Sequence, residues 1–100
     1  MMKRPLAGLL LLLVLTWPGV APAAQLHLTW IDNSYDEAGF QIERRIETTG
    51  TFTPITTVGM NITAYVDTTV AAGTTYCYQV RSFNAGSTSA PSNVACLPAQ

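Results

Sequence analysis

Few residues of this 100-residue chain could do chemistry. Strand alternation places the only histidine, His27, on a solvent-facing side, with no Ser or Cys nucleophile beside it. Asp32, Asp36 and Glu37 share one loop, whereas acid–base catalysis needs carboxylates on two walls of a cleft. Calcium could bind such oxygens, but the ligand spacing is not a recognised one and turns favour the same residues. The sequence therefore predicts no enzyme, no metal and no cofactor.

The first residues have the three parts of a secretory signal peptide. Lys3-Arg4 is a short basic start, and Leu occupies seven of the ten positions from Leu6 to Leu15. Small residues follow at Ala21-Pro22-Ala23. The alternative is a membrane anchor, but a Pro-Gly pair and a further Pro interrupt a stretch that only just reaches the roughly 20 residues of a spanning helix. We predict a cleaved signal peptide over residues 1–23.

Cleavage there leaves residues 24–100 as one domain. Three Arg and six carboxylates remain in it, with no Lys, so its net charge is −3. An acidic domain lacks the basic surface of a nucleic-acid binder. We expect a secreted or periplasmic protein, with no nucleic-acid partner and no membrane insertion after signal cleavage.

Cys77 and Cys96 are the only cysteines. An exported chain meets an oxidising compartment, and an even cysteine count without metal-ligand or C-x-x-C spacing predicts a disulfide. The alternation leaves open whether the side chain of Cys96 lies on the inward or the outward face of its strand. Cys77 falls on the outward face of its strand, whereas Cys96 points inward if Val94 does. Either a bulge shifts the last strand, or the odd-numbered residues from Asn93 to Leu97 form its inner face.

The elements that position these residues are short alternating strands. In the most regular one, Thr74 to Asn84, the side chains of Tyr76, Tyr78 and Val80 share a face. Because such a face needs a second sheet to cover it, the sequence predicts an all-β sandwich. Further strands are predicted over 25–31, 40–45, 51–58, 63–67 and 92–97. Pro54 indicates that the 51–58 strand lies at a sheet edge or is irregular.

These residues, in this order, resemble the fibronectin type III family. Trp30 looks like the core Trp of the second strand, and Tyr65 and Asp67 occupy the positions of an aromatic residue and an Asp in the fifth. The resemblance implies an immunoglobulin-like sandwich of about six strands after the signal peptide. It also implies that Tyr76 is a tyrosine corner, with its hydroxyl bonded to backbone near Val70. An unrelated immunoglobulin-like sandwich is the alternative.

Two departures from the family affect the functional prediction. A full domain has a strand before the Trp-bearing one, and predicted cleavage leaves no residues for it. We therefore expect that first strand to be missing and the Gln25–Ile31 strand to lie at an open sheet edge. The Arg-Gly-Asp tripeptide of some members is absent from the hairpin tip, Asn84–Ser89, so integrin-type binding is not implied.

The sequence thus predicts an exported, non-enzymatic module that binds an unknown protein or glycan through its loops. Asp32–Ala38 and Asn84–Ser89 are the expected contact loops, at one end of the sandwich. The candidate contact residues are Asp32, Asn33, Tyr35, Asp36, Asn84 and Ser87. The alternative is an assembly subunit completed by a partner's strand at the open edge. A monomer or a weak edge-mediated dimer is expected, and Asn61-Ile62-Thr63 is a glycosylation acceptor in a eukaryotic secretory route.

Overall fold

The computed structural model describes residues 13–16, 24–33, 36–47 and 49–100. Eight strands make up the regular structure of these residues, and none of the residues forms a helix long and apolar enough to cross a bilayer. The strands are β1 (Leu13–Thr16), β2 (Leu26–Trp30), β3 (Gly39–Ile46), β4 (Thr53–Gly59), β5 (Ala64–Asp67), β6 (Thr75–Asn84), β7 (Ser87–Thr88) and β8 (Ala95–Pro98).

The strands form two antiparallel sheets. One has the order β1-β2-β5, and the other has the order β4-β3-β6, with β7 and β8 both paired to the far side of β6. The predicted all-β sandwich is confirmed. The strand that contains Pro54 lies at a sheet edge, as predicted. Its pairing with β3 shifts between Ile42 and Glu43, which leaves Ile55 as an extra residue in a bulge.

The first strand, which we expected to be missing after cleavage at residue 23, is present in the uncleaved chain. β1 pairs antiparallel with β2, with Leu13 opposite Trp30 and Thr16 opposite His27. β2 therefore lies between β1 and β5, and not at an open edge. β1 comes from residues predicted to form the apolar centre of the signal peptide. A short run of Leu and Val suits a leader and a sandwich strand equally well, so its pattern alone does not distinguish them.

The core lies between the two sheets. Leu26, Leu28 and Trp30 of β2 are buried, as their alternation predicts. They belong to one cluster with Phe40 and Ile42 of β3 and with the apolar face of β6. Trp30 and Phe40 pack edge to face, with ring centroids 5.7 Å apart. Each fully buried large side chain contributes about 1.5–3 kcal/mol, so this cluster supplies most of the driving force for folding.

The pairing of β6 with β8 determines on which face of its strand Cys96 lies. Cys77 lies directly opposite Cys96, and the two form the predicted disulfide. Ala95 and Leu97 lie opposite Tyr78 and Tyr76 and pack against the core. The odd-numbered residues therefore form the inner face of β8, and the disulfide lies on the outer face of the sheet.

Two serines bridge the break between β7 and β8. The backbone N–H of Ser82 donates to Ser89 Oγ at 2.9 Å, and the N–H of Ser89 donates to the carbonyl of Ser82 at 2.8 Å. Val80 has the same two bonds with Ser92, at 2.9 and 2.8 Å. The backbone of β6 is therefore hydrogen-bonded through the whole break.

Candidate functional site

Three connections meet at one end of the sandwich, which we call the loop end: residues 31–33 with 36–38, residues 60–63, and residues 84–87. The N–H of Trp30 donates to the carbonyl of Thr63 at 3.1 Å, which joins the first connection to the second. The N–H of Ala38 donates to the carbonyl of Phe83 at 2.7 Å, which joins the first to the third. The two predicted contact loops therefore lie side by side, and a third loop joins them.

Asn84 fixes the hairpin tip. Its Oδ1 accepts hydrogen bonds from the N–H groups of Gly86 and Ser87 at 2.9 and 3.0 Å, the usual role of Asn in a turn. Its Nδ2 donates to the carbonyl of Asp36 at 3.4 Å, a long bond to the neighbouring loop. Asn84 thus has a positioning role within the loop end.

The other predicted contact residues differ in exposure. Asn33 and Ser87 are exposed, and Asp32 and Asp36 are half-buried. Tyr35 lies outside the described residues. Glu37 is buried, and its Oε2 accepts a hydrogen bond from the N–H of Asn61 at 3.2 Å.

The loop end also exposes apolar side chains that the sequence did not single out. Ile31, Met60 and Ile62 are 51%, 58% and 45% exposed. Ile31 follows Trp30 directly, and Ile62 precedes Thr63, the acceptor of the Trp30 bond, so both belong to the same end. Large exposed apolar side chains that lie together indicate a binding surface.

A second feature is an open depression of about 240 Å³ on the outer face of the β4-β3-β6 sheet. Its lining residues are Gln41, Thr57, Phe83, Asn84 and Thr88. Phe83 lies opposite Gly39, and a Cβ at Gly39 would come 3.2 Å from the Phe83 ring and would clash with the carbonyl of Val58. Glycine is therefore required at position 39, where the aromatic ring covers the backbone.

Charges beside the depression are paired. Arg81 Nε donates to Glu43 Oε1 at 3.1 Å, and Gln79 Nε2 donates to the same oxygen. Arg81 Nη1 also donates to the carbonyl of Ser89 at 3.2 Å. The outer face therefore presents little net charge at this place.

A buried polar network lies on the opposite, inner face. Asp67 is fully buried, and its Oδ2 accepts hydrogen bonds from Arg44 Nη1 at 2.9 Å and from the Tyr78 hydroxyl at 2.6 Å. Its Oδ1 accepts from the N–H and the hydroxyl of Thr69, at 3.0 and 2.6 Å. Arg44 also lies over the ring of Tyr76. The carboxylate has no route to a substrate, so its role is structural.

The pKa values of this network are shifted in the directions that the geometry requires. Burial alone would raise the pKa of Asp67, but the hydrogen bonds from Thr69, Tyr78 and Arg44 outweigh it, and the pKa lies below its usual value. Burial, and then the hydrogen bond to Asp67, raise the pKa of Tyr78 well above its usual value. Burial opposes the charge of Arg44, yet Asp67 raises its pKa overall.

Within residues 24–33, 36–47 and 49–100, no three His, Cys, Asp or Glu side chains are placed to hold a metal ion.

Tyr76 forms the implied tyrosine corner, because its hydroxyl accepts a hydrogen bond from the N–H of Ala71 at 2.7 Å.

Known structures identify the fold. No protein-family model matches the chain. The chain is 28% identical to an Fn3-like protein from Clostridium thermocellum, with a TM-score of 0.67 over 84% of this chain and 85% of that one. The chain carries a fibronectin type III domain. The human collagen XX fibronectin type III domain has the same fold at 17% identity, with a TM-score of 0.71 over 98% of this chain and 99% of that one.

A relative of this fibronectin type III chain is much larger. The amylopullulanase of Thermoanaerobacterium saccharolyticum is 33% identical over 84 residues, which are 84% of this chain. The same match covers 6% of the enzyme. The similarity therefore concerns one small part of that protein.

Proposed function

We propose that this fibronectin type III domain is a non-enzymatic interaction module of an exported protein, which binds a protein or a glycan through its loop end. The observation that carries the proposal is the exposure of Ile31, Met60 and Ile62 on loops that hydrogen bonds hold together. A fixed surface loses little conformational entropy on binding, and its apolar side chains gain from leaving water.

Two further observations support the proposal. The disulfide between Cys77 and Cys96 suits an oxidising compartment outside the cytosol. Similarity to a small part of an amylopullulanase supports a role as one unit beside glycan-degrading activity, with a glycan or a neighbouring protein as the partner.

A pull-down tests the loop end. The purified exported protein is used to capture partners from the envelope or secretome of its own organism. A Met60→Ser, Ile62→Ser variant should lose the captured partner. The control is Ile46→Ser, because Ile46 is equally exposed, at 53%, but ends β3 at the opposite end of the sandwich. Equal capture by all three proteins would contradict the proposal.

A second candidate function follows from the position of β1. Cleavage after Ala23 would remove Leu13–Thr16 and leave β2 without its neighbour on that side. We infer that a strand from a partner then pairs with β2, as in assembly by β-strand addition. Sedimentation of the exported protein, with hydrogen exchange at Leu26–Trp30, tests this inference. A monomer with protected β2 amides would contradict it, and a complex that protects them only on association would support it.

A further inference from the structure

The volume of the depression on the outer face suits a small ligand, or one unit of a longer one. Its volume of about 240 Å³ is below the roughly 300–1,000 Å³ of sites that enclose drug-sized ligands. It is open to solvent, so one unit of a longer molecule can bind in it while the rest stays outside. It borders the loop end at Asn84, but Ile31, Met60 and Ile62 do not line it.

The polar groups of the depression are available. Across the described residues, no hydrogen bond within the protein engages the side-chain amide of Gln41 or the hydroxyls of Thr57 and Thr88. The amide offers donors and an acceptor, and each hydroxyl both donates and accepts. These three side chains, from β3, β4 and β7 of one sheet, thus present hydrogen-bonding groups of both kinds to a ligand.

Phe83 supplies an apolar surface among these polar groups. Its ring packs against Gly39, where a side chain would crowd it. The electron-rich face of an aromatic ring attracts the weakly positive C–H groups of a sugar ring. An aromatic ring beside uncharged donors and acceptors is therefore suited to a ligand that has both C–H faces and hydroxyl groups.

The charge of the side chains around the depression distinguishes between charged and neutral ligands. No charged side chain lines the depression, and the nearest pair, Arg81 and Glu43, neutralise each other. An anionic or cationic ligand would find no counter-charge. We propose that the depression formed by Gln41, Thr57, Phe83 and Thr88 binds one sugar unit of a neutral hexose glycan. This inference rests on the proposed function, since it names a ligand class for the module.

The test is an NMR titration of the isotopically labelled, exported protein with maltohexaose, cellohexaose and mannohexaose. At least one should shift the amide signals around Gln41, Phe83 and Thr88, with a Kd on the order of 1 mM, as a small open site implies. Gln41→Ala and Phe83→Ala should each weaken binding about tenfold or more. Gln41→Ala keeps the test valid if Phe83→Ala unfolds. Thr29→Ala, on the exposed side of β2, is the control and should bind normally.

Several outcomes would overturn the inference. They are the absence of shifts with all three oligosaccharides, shifts confined to residues 31–33 and 60–63, and tighter binding of the anionic hexagalacturonate. The Met60→Ser, Ile62→Ser variant separates this failure from that of the proposed function. If it loses its captured partner while the depression binds none of the sugars, the loop-end proposal stands and the sugar site is wrong.

Discussion

The bond between Tyr78 and Asp67 allows a quantitative test of the fold. Tyr78→Phe removes the hydroxyl that donates to Asp67 Oδ2 at 2.6 Å and leaves the buried ring in place. A hydrogen bond to a charged group contributes about 1.5–3 kcal/mol. Arg44 and Thr69 still bond the carboxylate, so the loss should stay below the roughly 3–5 kcal/mol of breaking a whole buried ion pair. We expect a loss of about 2 kcal/mol.

Urea unfolding at pH 7, followed by the fluorescence of the buried Trp30, measures this loss. With a denaturant slope of about 1 kcal/mol/M, as for small domains, the midpoint should fall by about 2 M. Tyr65→Phe is the matched control. Tyr65 is half-buried and packs against the core, and within the described chain its hydroxyl makes no hydrogen bond. Equal shifts in the two variants, or a shift below about 0.5 M for Tyr78→Phe, would refute the assigned role of the network.

Two other predictions concern stability. The double change Cys77→Ser, Cys96→Ser should lower the free energy of unfolding, measured in urea, by about 2–4 kcal/mol, because the bridge joins cysteines 19 positions apart and closes a loop. Alkylation of two thiols in the unreduced protein would contradict the bridge. In the unfolded chain Asp67 has a pKa of about 4, and the folded protein lowers it, so ionised Asp67 stabilises the fold at higher pH. The melting temperature should therefore fall as the pH drops below about 4. Asp67→Asn should flatten this dependence of the melting temperature on pH.

Alternation along the chain was enough to predict the core. The inward positions of Leu26, Leu28 and Trp30 and of Phe40 and Ile42 are confirmed, because one face of each strand must be covered. The same alternation places Arg44 inward after Ile42, next to Asp67. A charged residue at an inward position was therefore the available signal for the buried network.

Alternation along the chain could not predict the exposed apolar residues of the loop end, the depression or the face on which Cys96 lies. The exposed apolar residues of the loop end lie in connections, which have no periodicity, so only the fold brings Ile31 near Ile62. The depression depends on the register of the strands, since Gln41 and Thr57, and Phe83 and Thr88, become neighbours only through pairing. The face of β8 on which Cys96 lies could likewise be assigned only from the register of β8 against β6.

The break between β7 and β8 has a consequence for solubility. An unpaired strand border is a template on which another chain can add a strand and begin aggregation. β6 would offer such a template at Val80 and Ser82, but Ser92 and Ser89 already occupy those backbone groups. Pro91, between the two serines, has no N–H to donate to an incoming chain. This short irregular segment therefore protects the longest strand of the protein from intermolecular pairing, and replacing both serines by alanine would remove the side-chain acceptors.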